Sequence, residues 1–86
     1  EVRLECEFDS SGLWDAEGRM LSYDLLDLPF PLVRRICAWQ RDFDNTVMLP
    51  DEGSEAWWDH HHNKSVEIAQ QLQAALGANI TVKLDR

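Results

Sequence analysis

Apolar residues change their spacing several times along this chain, and each change marks an element. Over residues 1–8 they alternate, with Val2, Leu4, Cys6 and Phe8 on one side and Arg3, Glu5 and Glu7 on the other. A period of two with polar residues opposite is a half-buried strand. Asp9-Ser10-Ser11-Gly12 turns the chain. Leu13-Trp14 and Arg19-Met20-Leu21 then flank Asp15-Ala16-Glu17-Gly18. That arrangement predicts a short hairpin, closed by Gly18 in the left-handed conformation. In residues 22–28, Tyr23, Leu25, Leu26 and Leu28 are interrupted by Asp24 and Asp27. This pattern fits either one helical turn or an extended connector.

The rest of the chain is organised around residues 31–48. Leu32, Ile36, Trp39, Phe43 and Val47 recur at helical spacing, with Val33 and Gln40 beside them. Arg34, Arg35, Ala38, Arg41, Asp42 and Asn45 fall opposite. This is an amphipathic helix with one apolar stripe, and Trp39 is its largest side chain. Pro31 suits the first helical position, where a missing N–H costs nothing. Phe30 is a poor cap, so packing must hold the helix start.

Residues 49–53 read as a loop, and Ser54 and Glu55 suit the start of a second helix. Over residues 56–76, Trp57, Trp58, His61, Ser65, Ile68, Ala69, Leu72, Ala75 and Leu76 share a face, and Gly77 suits the C-cap. Residues 79–84 alternate again, with Ile80, Val82 and Leu84 inward. Pairing this last strand with the first would set Thr81 and Lys83 opposite Glu5 and Glu7, a favourable match of charge. The expected fold is a single α+β domain over residues 1–86. A sheet of two to four strands, with the terminal strands paired and a short hairpin added, carries two antiparallel helices on one face. The expected core is Leu4, Phe8, Leu32, Ile36, Trp39, Phe43, Ile68, Leu72, Leu76, Ile80 and Val82.

Charge narrows the choice of partner. Sixteen acids against eight bases give a net charge of −8. The excess is concentrated in residues 1–30 and 42–59, while residues 31–41 hold three arginines. Such a surface repels phosphate backbones and anionic lipid, and it favours a basic protein partner. No run of about 18 apolar residues suggests a membrane span. Without a visible leader, a cytoplasmic location and free thiols at Cys6 and Cys37 are expected.

Candidate chemistry is sparse. His60, His61 and His62 are adjacent, so on a helix they fan out about 100° apart instead of converging on a metal. His60 and His62 are weak metal candidates at most, and His61 faces the core. Cys37 lies in a helix interior, where nothing local lowers its pKa. There is no glycine-rich phosphate loop and no serine at a strained turn. The chain is therefore read as a non-enzyme without a cofactor. Trp57 and Trp58 project about 100° apart beside the acidic stretch. They either cap the core where the helices meet or form an exposed hot spot for a partner or a second copy.

The order of these motifs is also informative. A VRLECEF strand, LWD-x-x-G, a proline-led helix with RRICAWQRDFD, AQQLQAALG and a closing ITVKL strand resemble a group of small bacterial proteins. These are similar in size and acidity to the immunity proteins of polymorphic toxin systems. The resemblance implies a protein-binding module and carries no catalytic residues. The residues expected to meet a partner are Asp44, Asp51, Glu52, Glu55, Trp57 and Trp58. A homo-oligomeric scaffold, closed through Trp14 or Trp57, is the alternative.

Overall fold

Leu4, Leu13, Ile36, Ile68 and Leu72 are wholly withdrawn from solvent, and the elements that carry them define the architecture. A computed structural model describes residues 1–7, 9–48 and 55–84. Three short strands are present: β1 (Val2–Leu4), β2 (Leu13–Trp14) and β3 (Val82–Leu84). Two helices follow the same chain order, α1 (Phe30–Asp44) and α2 (Glu55–Leu76). Tyr23–Leu25 and Asn45–Met48 form 3-10 turns. The sheet order is β2-β1-β3, so the terminal strands pair through β1.

β1 runs antiparallel to β2 and parallel to β3. The register sets Val2 beside Val82, Arg3 beside Lys83 and Leu4 beside Leu84. Lys83 therefore reaches Glu1, with Nζ 3.3 Å from its carboxylate, and not Glu5 or Glu7 as charge matching suggested. Regular pairing in β1 ends at Leu4, short of the eight-residue strand expected. Beyond it, the Glu5 amide still donates to the Gly12 carbonyl at 3.0 Å, and Cys6 turns towards α2. Phe8 lies outside the described residues. The hairpin closes through a Trp14–Met20 bridge, with Gly18 at φ 83°.

α1 begins one residue before Pro31, with Pro29 as an N-cap that makes no side-chain bond. Leu32, Ile36, Trp39 and Gln40 are its buried residues. The α-helix stops at Asp44, four residues before the expected end. Thr46 Oγ1 donates to the Phe43 carbonyl at 2.8 Å, a local side-chain bond that competes with the helical ladder. α2 lies antiparallel on α1: Arg35 reaches Glu67 and Gln71, whereas Asp42, two turns later, meets Lys64. Ile68 and Leu72 of α2 are buried, and Leu76, Ile80 and Val82 pack part-buried around the cluster. Gln73 fastens α2 to β3. Its Nε2 donates to the carbonyls of Gly77 (2.8 Å) and Ile80 (2.7 Å), and its Oε1 accepts from the Val82 amide at 3.0 Å.

Candidate protein-binding site

Where the C-terminal half of α1 meets the first turns of α2, the rings of Trp39, Phe43, Trp57 and Trp58 converge on His61. Trp57 precedes His61 by four residues, so both lie on one helix face. Their rings stack at 4.9 Å with planes 11° apart. From α1, Trp39 stacks on the same imidazole at 5.2 Å and 10°. Trp58 meets Phe43 edge-on at 6.2 Å and Trp57 at 4.7 Å. Two hydrogen bonds tie the helices here. The Trp39 indole N–H donates to the His61 carbonyl at 3.3 Å, and His61 Nε2 lies 3.1 Å from the Trp39 carbonyl. A carbonyl can only accept, so Nε2 carries the proton.

His61 is only 7% exposed. Desolvation lowers its pKa, and the bond to Trp39 and the charge of Asp42 offset that only in part. Cys6 Sγ lies 3.9 Å from His61 Nε2. This contact is not a nucleophilic dyad. Burial, and then the charges of Asp44, Glu5, Asp42 and Glu7, push the Cys6 thiol well above its usual range, the reverse of what an attacking thiolate needs. Cys6 and Cys37 are free thiols.

Beside this cluster is a cleft of about 270 Å³. Its walls include Leu4, Glu5 and Cys6 from the β1 side, Phe43 from α1, and Trp58 and His62 from α2. Trp58, 36% exposed, is among the exposed large hydrophobic residues.

The residues expected to meet a partner have separate fates. Glu55 is exposed in the first turn of α2, and Trp57 is half-buried. Asp44 is half-buried and structurally engaged: its Oδ1 accepts from Gln40 Nε2 at 3.0 Å and from the Asp9 amide at 3.2 Å. Asp51 and Glu52 lie outside the described residues. His60 is exposed, His61 buried and His62 intermediate. Among the described residues, no group of three or more His, Cys, Asp or Glu side chains could hold a metal ion. Sequence reasoning missed Glu5, Cys6 and Phe43 as cleft walls. The strand pattern does turn Cys6 inward, but its meeting with His61 spans 55 residues, and periodicity carries no information over that distance.

A family model described as Serratia CdiI immunity protein-like matches residues 1–85. The chain belongs to that family. The match takes in both helices and all three strands, and so agrees with the likeness to immunity proteins carried by the strand, turn and helix motifs. Among curated proteins, none matches the chain. Within this immunity protein-like fold, no helix among the described residues is long and apolar enough to cross a membrane.

Proposed function

We propose that this protein is an immunity-type module that binds a basic toxin protein and blocks it, without a chemical step of its own. The observation that carries this reading is the family match over residues 1–85. The aromatic end of the helix pair supports it as the binding face. Trp58 stands partly exposed beside Phe43 and Trp57, the kind of anchor that dominates protein interfaces. Glu55 and Asp59 on α2 are exposed and add negative charge beside it, and Asp51 and Glu52 precede them in the sequence; such charge speeds encounter with a basic partner.

The test is capture from a lysate of the source organism at low and then moderate salt, followed by co-expression of the retained protein with this chain. The expected result is a basic toxin whose killing is suppressed by the chain. A captured protein whose toxicity persists with excess chain present would overturn the reading. Self-association is a second reading, favoured by Leu25 and Phe30, which are 71% and 72% exposed. It moves any two-fold contact away from Trp14, whose indole N–H is already bonded to the Glu5 carbonyl at 2.9 Å. A mass in light scattering that stays monomeric at every concentration would remove it.

A further inference from the structure

We propose that Asp24, Leu25, Asp27, Phe30 and Arg34 form a self-complementary strip that meets the same strip of a second copy across a two-fold axis at Phe30. This rests on the self-association reading above, gives it a surface and a register, and leaves the toxin-binding reading as it stands. The connector into α1 packs Tyr23, Leu26 and Leu28 against the core. Asp24, Leu25 and Asp27, which alternate with them, are exposed. Phe30 opens α1, and it and Leu25 are the two most exposed large hydrophobic side chains among the described residues. So open a ring adds little to the fold's own burial, and contact with a partner would withdraw it from water.

Charge then says what covers the strip. Arg34 follows Phe30 by one helical turn, about 6 Å, and its guanidinium carbon lies 5.9 Å from the centre of the Phe30 ring. Stacking uses the face of a guanidinium and leaves the N–H donors in its plane for a carboxylate. Asp24 and Asp27 precede the ring in sequence. Among the described residues, neither they nor Arg34 take part in an ion pair. The strip is therefore acidic at one end, apolar in the middle and basic at the other. In a two-fold contact residue i meets j and j meets i. A strip of this polarity, laid antiparallel on its copy, sets Arg34 against Asp27 of the second copy, twice, with the Phe30 rings between. A uniformly basic partner would be repelled by Arg34, and a uniformly acidic one by Asp24 and Asp27. The second copy satisfies both ends. So few residues bury an area at the low end for specific interfaces, so the dimer is weak and forms at high concentration.

The test is sedimentation equilibrium of the whole chain up to about 1 mM, the range of a small transient interface. Salt is held at about 0.15 M, where screening within about 8 Å mutes the repulsion between two chains of net charge −8. A monomer–dimer equilibrium is expected. Phe30→Ser should weaken it by about tenfold, and Arg34→Glu by about fivefold. Asp27→Asn should weaken it less than Arg34→Glu, because it removes an attraction without adding a repulsion; asparagine also tolerates the left-handed φ of 50° at this position. Arg41→Glu makes the same change in net charge about 10 Å further along α1, and should have little effect. All four positions are exposed, so the variants keep the fold. A monomer throughout would overturn the proposal and leave the strip to a different protein. A dimer undiminished in Phe30→Ser would also overturn it, while keeping self-association on another face. Equal losses in Arg34→Glu and Arg41→Glu would show an effect of total charge and overturn the register. Protection of cells from the toxin is a separate readout: Phe30 lies about 20 Å along α1 from Phe43, and Phe30→Ser should protect as the wild type does.

Discussion

Single residues at the aromatic end set conditions that can be measured one at a time. Gly12 has φ 81°, and a Cβ there would sit 3.1 Å from the Trp39 ring. Gly18 has φ 83° with nothing within 4 Å of the same position. Alanine at either site meets the left-handed penalty, about 1–2 kcal/mol. At Gly12, crowding of the indole adds a further ~1–3 kcal/mol. Urea unfolding should therefore show Gly12→Ala clearly less stable than Gly18→Ala, and equal midpoints would mean that Trp39 is not held against this turn. His61 gives a pH dependence whose sign is fixed by its surroundings. Its folded pKa lies below the ordinary 6.5 because the ring is desolvated, so the unfolded chain binds the proton more tightly. Stability is then full above about 6.5 and falls as pH drops from there towards the folded value. Urea midpoints at pH 7.5 and 5.5 should differ in the wild type and differ less in His61→Phe. An unchanged slope in the variant would assign the effect to other groups.

Between elements, side chains fix what the short strands leave loose. β3 has only three residues, and Gln73 holds it and the preceding turn by three hydrogen bonds. Gln73→Ala should destabilise the fold by about 1 kcal/mol, because the part-buried backbone groups of Ile80 and Val82 lose their partner. Hydrogen exchange at the Val82 amide should rise more than at Ile36 in the middle of α1. Uniform acceleration at both sites would show that β3 has no separate dependence on Gln73. This lock was not legible in the sequence, because a glutamine on a helix face carries no sign of the strand it will meet. The helices themselves were legible from the stripes through Leu32, Ile36 and Trp39 and through Ile68 and Leu72. The pairing of the terminal strands was legible from their alternation. The register was not: alternation reports which face a residue takes, not its neighbour, and so Lys83 was matched to Glu5 and Glu7 instead of Glu1. The cleft was hidden for the same reason, since Glu5, Phe43 and Trp58 come from three separate stretches of the chain. Trp57 and Trp58 were visible as a pair, but whether each would be covered depended on His61 and Phe43 arriving beside them.

At the scale of the whole molecule, a net charge of −8 on 86 residues acts at a distance, whereas Trp58 acts only on contact. The two contributions to the proposed toxin binding should therefore separate in kinetics. Long-range attraction raises the association rate and is screened within about 10 Å at 0.1 M salt. A buried aromatic anchor holds the complex once formed and governs dissociation. Charge reversal at Asp51, Glu52 and Glu55 together should slow association with the proposed basic partner by about tenfold at low salt, an effect that shrinks as salt rises. Dissociation should change little. Trp58→Ala should leave association nearly unaltered and speed dissociation by about 30-fold, the scale of a 2 kcal/mol hot spot. Surface plasmon resonance at two salt concentrations measures both. If the charge reversals alter only dissociation, the acidic residues touch the partner directly and do not steer it. If Trp58→Ala changes neither rate, the toxin binds another face, and the exposed Leu25 and Phe30 surface becomes the place to test next.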